Sequence, residues 1–76
     1  MYNITEQGNS VKITDGTKTM LFPKGTLSAI AHKGDKQSVD LRLMASRKNI
    51  ISFPFDNCNM AEQDAEETAE AIGAIL

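Results

Sequence analysis

Apolar and polar residues alternate along most of the first 55 positions, then switch to a helical spacing. Val11 and Ile13 alternate with Lys12 and Thr14. Val39, Leu41 and Leu43 alternate with Asp40 and Arg42, and Ile51, Phe53 and Phe55 alternate with Ser52 and Pro54. A period of two puts one set of side chains on one face of a half-buried strand. The pattern predicts strands over 2–5, 11–14, 17–22, 26–32, 38–45 and 50–55. Turn chemistry separates them: Gln7-Gly8-Asn9-Ser10, Asp15-Gly16, Phe22-Pro23-Lys24-Gly25, Lys33-Gly34-Asp35-Lys36 and Ser46-Arg47-Lys48-Asn49. Asp15-Gly16 between alternating runs predicts a type I′ hairpin, because that turn needs positive φ at both central residues. Pro54 cannot donate to a ladder and argues for an edge strand or a bulge.

Burial also predicts how the last two strands pair. A two-residue turn at Arg47-Lys48 would set Phe53 opposite Arg42. A register one residue different sets Ile51 opposite Leu43, Phe53 opposite Leu41 and Phe55 opposite Val39. A one-residue slip sends a whole apolar set to the wrong face, so the second register is expected, with an odd-length loop.

After position 60 the period changes. Ala61, Ala65, Thr68, Ala69, Ile72, Ile75 and Leu76 fall on one side of a 3.6-residue helix, with Glu62, Glu66 and Glu70 off that stripe. Asn59 followed three residues later by Glu62 reads as a capping box, starting a helix over about 60–75. The expected fold is α+β: an antiparallel meander of five or six strands over about 2–55, curled or partly barrel-like and closed by the helix, in one domain spanning 1–76. The face with Val39, Leu41, Leu43, Ile51, Phe53 and Phe55 should meet Ala65, Ala69 and Ile72.

Composition sets limits on function. A chain of 76 residues has a thin core, which disfavours a large buried cleft. No apolar run approaches the roughly 20 residues of a membrane span, and the N-terminus has neither the basic start nor the apolar stretch of a signal peptide. A lone cysteine, Cys58, excludes an intrachain disulfide and a multi-cysteine zinc site. The chain reads as soluble and cytoplasmic, or as a virion component if it comes from a phage. The formal charge of −2 hides a split. All eight basic residues lie in 1–55, with only four acids, whereas 56–76 holds Asp56, Glu62, Asp64, Glu66, Glu67 and Glu70 and no Lys or Arg. One basic and one acidic face are expected, although solvated surface explains the same split.

Catalytic chemistry is nearly absent from the pattern. His32 and Cys58 could in principle form a nucleophile pair, but a strand-end polar residue and a small packing residue are the better readings. Glu62, Glu66 and Glu70 at intervals of four could face a hard cation, yet no second helix or aspartate-rich loop completes a shell. A solvated acidic stripe is the better reading. The scattered glycines make no phosphate-cradling loop. No catalytic residue, cofactor or metal site is assigned, and the chain reads as a non-enzyme.

Two likenesses bear on function. The strands-then-helix order is similar to that of small dimeric single-strand DNA-binding modules of the transcriptional-coactivator type, without a shared motif. The stretch Phe22-Pro23-Lys24-Gly25-Thr26-Leu27, then Lys48-Asn49-Ile50-Ile51-Ser52-Phe53-Pro54-Phe55-Asp56, then Ala65-Glu66-Glu67-Thr68-Ala69-Glu70-Ala71-Ile72, resembles small uncharacterised accessory proteins of phages and mobile elements of gut bacteria. That resemblance covers most of 20–76 and implies an accessory protein or virion component.

The expectation is therefore a non-enzymatic interaction or self-assembly module whose partner is itself or another protein, with no membrane. Its candidate interface residues are Glu62, Glu66, Glu70, Arg47, Lys48 and Phe55. The alternative is a single-stranded nucleic-acid binder using basic turns, with Lys24, Lys33, Lys36, Arg42, Arg47 and Lys48 as contacts. Against it stand the pI near 5.2 and the core's demand for the aromatics.

Overall fold

Gly8 and Asn9 join the first two strands in a two-residue hairpin, and Gly8 alone supplies the positive φ, as a type II′ turn requires. The structure, a computed structural model, describes residues 1–76. Its strands are β1 (Asn3–Gln7), β2 (Ser10–Thr14), β3 (Thr19–Pro23), β4 (Leu27–His32), β5 (Ser38–Leu43) and β6 (Asn49–Pro54), followed by one helix, α1 (Ala65–Gly73). No peptide bond is cis.

The expected single meander of five or six strands, curled or partly barrel-like, does not form. The six strands divide into two separate three-stranded antiparallel sheets, β1-β2-β3 and β4-β5-β6, with no closed barrel. The division falls at Lys24 to Thr26. Gly25 has φ +87°, and the Thr26 hydroxyl donates to the Pro23 carbonyl. The linking backbone bonds elsewhere instead of closing a hairpin: Gly25 N–H donates to the Leu76 carbonyl, and the Thr26 carbonyl accepts from Met44 N–H. There is also a reason of area. A six-strand sheet has one long apolar face, and a nine-residue helix covers only part of it. Two short sheets bury their apolar faces in a shared core.

That core takes Ile4, Val11 and Ile13 from the first sheet, Leu27, Val39, Leu41 and Phe53 from the second, and Cys58, Ala65, Ala69 and Ile72 from the C-terminal segment. The helix packs on β4 and β5. Tyr2 covers β6, its ring 5.0 Å from that of Phe53. Leu43 and Phe55 are only half-buried at the margin of the core.

The expected face is correct but the register is not. Phe53 stands opposite Val39 and Ile51 opposite Leu41, a slip of two residues from the expected pairs. A shift of two preserves which face each side chain takes, and burial selects only the face. The expected odd-length loop is an even one: Leu43 N–H donates to the Lys48 carbonyl and encloses four residues, and a bulge supplies the remaining offset. Arg47 N–H closes back on the Leu43 carbonyl at 2.7 Å, Arg47 has φ +58°, and a bulge lies between Leu41 and Arg42. β6 is an edge strand, as Pro54 implies.

Two local expectations also change. Thr14 pairs with Thr19, so the Asp15 loop holds four residues, not two. Asp15 is not at positive φ; its Oδ1 accepts from the backbone N–H groups of Thr17 and Lys18 and from the Thr17 hydroxyl. The helix is capped by Asp64, whose Oδ1 accepts from Glu67 N–H at 2.9 Å, and not by Asn59. Asp64 with Glu67 repeats the S/T/D-x-x-E spacing of a helix start one turn later. Asn59 is engaged elsewhere: its side-chain amide bonds both backbone groups of Ile4.

Candidate functional site

Alternation sends Leu27, Ala29, Ala31, Val39, Leu41, Ile51 and Phe53 to the core side of the second sheet. Their neighbours Ser28, Ile30, His32, Asp40, Arg42 and Ser52 lie on the other side, away from the core. The helix does not cover this outer face, and Asp40 sits at its centre, opposite Ile30 on β4 and Ser52 on β6.

Asp40 is buried to 6 % exposure and collects three donors. Its Oδ2 accepts from His32 Nε2 at 2.7 Å and from Arg42 Nη2 at 2.8 Å, and its Oδ1 accepts from the Ser52 hydroxyl at 2.7 Å. The Asn49 side-chain amide donates to the same Ser52 oxygen at 2.8 Å. Burial alone would push the Asp40 carboxyl up. The hydrogen bonds from Ser52, His32 and Arg42 outweigh it and hold the group at about 2. Asp40 therefore carries a fixed negative charge that anchors Arg42.

Ser52, His32 and Asp40 have the composition of a hydrolytic triad but not its wiring. In a triad the imidazole accepts the serine proton and the carboxylate orients the imidazole. Here the carboxylate stands between the other two, and Ser52 donates to Asp40, not to His32.

Beside this network lies a pocket of about 300 Å³ lined by Ser28, Ile30, Arg42, Met44 and Arg47. A second pocket of about 500 Å³, lined by Gly25, Thr26, Leu43, Met44 and Ala45, shares Met44, which is largely exposed. In the first, two guanidinium groups and a hydroxyl border an apolar floor. Of Arg42's nitrogens only Nη2 is bonded, and Nε is buried without a partner.

The structure brings together two residues from the sequence-derived sets, Arg42 and Arg47. Lys48 follows Arg47 in the same loop. The remaining basic residues are dispersed. Lys24 pairs with Glu6. Lys33 pairs with Glu66 at 3.2 Å and reaches Asp64 at 3.7 Å, which raises its ammonium pKa, first through the Glu66 hydrogen bond. Lys33 and Lys36 sit on the β4–β5 turn, at the opposite end of the sheet from Arg47 and Lys48. Among the acids, Glu66 is thus partnered within the chain, whereas Glu62, Glu67 and Glu70 are exposed and unpaired. Glu62 precedes the helix, its N–H held by the buried Thr68 hydroxyl, so it does not continue the line of Glu66 and Glu70 as one helical stripe. Phe55 packs against the core margin, and its N–H donates to the Gln37 carbonyl.

Cys58 is a core residue. Burial pushes its thiol up, and the sulfur lies 3.7 Å from the Phe55 carbonyl. His32 faces outward on the second sheet, so the two are not brought together. No group of three or more His, Cys, Asp or Glu side chains is placed to hold a metal ion. No helix is long and apolar enough to cross a membrane.

No family model matches the chain, and neither a curated protein nor a solved structure matches it.

The Asp40 network and the arginine pocket were missed at the level of sequence. One signal was available: Asp40 and Arg42 are two apart on a strand and share a face. Nothing local tied His32, Ser28 or Arg47 to them.

Proposed function

We propose that this chain is a small non-enzymatic interaction module that associates with itself or docks on a larger assembly. The outer face of the second sheet supplies a basic contact, and the flank of α1 supplies an acidic one. One observation carries this reading: Arg42 and Arg47 converge on an apolar-floored pocket beside exposed Met44, while Glu67 and Glu70 stand unpaired on the helix. Single exposed ion pairs contribute only about 0–1 kcal/mol, so the apolar floor must supply part of the affinity. Where the two faces meet only once between a pair of copies, the contact is heterologous and builds rings or filaments.

Sedimentation velocity at low and high salt tests the proposal. Concentration-dependent association that weakens with salt is expected. A strict monomer at high micromolar concentration and low salt, with no protein recovered by affinity capture, overturns it.

Single-stranded nucleic-acid binding is the second reading, supported by Lys36, Arg47 and Lys48, which carry no ion pair. It ranks lower because base stacking needs exposed rings, and Tyr2, Phe22, Phe53 and Phe55 all pack on the core. A salt-dependent mobility shift with an oligonucleotide would reverse the ranking.

A further inference from the structure

Three features of the arginine pocket are not required by the fold. Arg47 occupies φ +58°, where glycine or asparagine is favoured and a side chain of any other kind is disfavoured. The turn itself gains nothing from an arginine there. Arg42 is anchored through Nη2 and its Nε is buried, so the donors left for a ligand are its remaining Nη hydrogens. Ile30 and Met44 floor the space between the two, and Ser28 adds a hydroxyl. Guanidinium groups present planar, forked donors that match carboxylate and phosphate oxygens.

Charge discriminates between those two groups. Asp40 already counters Arg42, and Arg47 has no acidic partner. Among the residues that line the pocket, the uncompensated charge is that of Arg47 alone; Lys48, the next residue, is unpaired but does not line it. A singly charged carboxylate balances it; a phosphate dianion leaves a surplus. The apolar floor also suits a short methylene stem behind the charged head.

We propose that the pocket lined by Ser28, Ile30, Arg42, Met44 and Arg47 is a recognition site for a side-chain carboxylate on an apolar stem, as glutamate presents it. The proposal rests on reading this face as an interaction surface and names what it recognises: an acidic segment of a partner, for which the α1 flank of a second copy is suited. Arg47 closes on one side of the carboxylate. Arg42, held in plane by Asp40, donates from the other, and Ser28 adds a neutral donor.

The experiment is a heteronuclear NMR titration of the whole chain with three probes at constant ionic strength: N-acetylglutamate α-amide, inorganic phosphate and chloride. Saturable shifts in the Ser28 amide and the Arg42 and Arg47 side-chain N–H signals are expected with the glutamate derivative, in the millimolar range. Phosphate should bind more weakly, and chloride should give no saturable response. Arg47→Gln should weaken binding about ten-fold, the effect of losing one charge-assisted hydrogen bond, and Arg47→Lys should restore part of it. Arg47 lies on a surface turn, and the amide spectrum of each variant reports whether the fold is kept. Shifts indistinguishable from chloride, tighter binding of phosphate at the same signals, or unchanged binding in a folded Arg47→Gln variant would each overturn the assignment. Saturable carboxylate binding by a chain that stays monomeric would keep the pocket and reject self-association. Salt-sensitive association that survives Arg47→Gln would do the reverse.

Discussion

The side-chain amide of Asn59 pairs with both backbone groups of Ile4, 55 positions away. Ile4 N–H donates to Asn59 Oδ1 at 2.7 Å, and Asn59 Nδ2 donates to the Ile4 carbonyl at 3.0 Å. Beside it, Asn59 N–H donates to the Tyr2 carbonyl and Tyr2 N–H to the Asn57 carbonyl. A side chain thus imitates a strand partner along the edge of β1. It ties the first sheet to the segment that follows the second.

Asn59→Ala should therefore destabilise the chain by about 1–3 kcal/mol, because two backbone groups of β1 lose their partners in a half-buried place. Urea denaturation measures this. Amide exchange should also show Ile4 losing protection before the strands of the second sheet. Equal loss of protection in both sheets would mean that Asn59 is not the link between them.

Acid should weaken the fold through Asp40. Its carboxyl is held at about 2 in the folded chain, against about 3.9 when unfolded. Between these values the unfolded chain binds more protons, so stability falls as pH drops through that window. The loss is on the order of 2 kcal/mol for this group. Asp15, held at about 2 by the Thr17 and Lys18 N–H groups, titrates in the same window. Urea midpoints at about pH 5 and about pH 2 should differ less in Asp40→Asn than in the native chain. An unchanged difference would remove Asp40 from the account.

Leu41 is fully buried and lies between Ala29 and Ile51 on the core face. Leu41→Ala should cost roughly 2–5 kcal/mol, enough to unfold a marginal domain of this size. Circular dichroism under urea reads it. A cost below 1 kcal/mol, on the scale of surface substitutions, would contradict a shared core at this position.

Cys58 should react with a thiol reagent far more slowly in the folded chain than in urea, since burial shields the sulfur and raises its pKa. Cys58→Ser should leave association and partner binding intact. Fast labelling of the native chain would point instead to an activated thiol.

Arg47→Gly should raise stability by about 1 kcal/mol, by relieving the positive φ, while weakening carboxylate binding. Urea midpoints and the NMR titration separate the two effects. A destabilised Arg47→Gly variant would show that the arginine serves the turn.

Alternation and turn chemistry alone locate all six strands, the edge position of β6 and the helical switch near the C-terminus. These depend on local backbone preference and on which side of a strand is apolar, and both can be read within a few residues. The partition into two sheets cannot. It depends on how much apolar area a nine-residue helix leaves uncovered, and on where the Gly25 and Thr26 backbone finds distant partners. The helix start moved from Asn59 to Asp64 for a related reason: two local caps compete, and a contact with Ile4 claims the first. The candidate site follows the same rule. Arg42 and Asp40 share a face by periodicity, but His32, Ser28 and Ser52 reach them only through the pairing of β4 and β6 with β5, and Arg47 only through the path of the β5–β6 loop, which the tertiary structure decides.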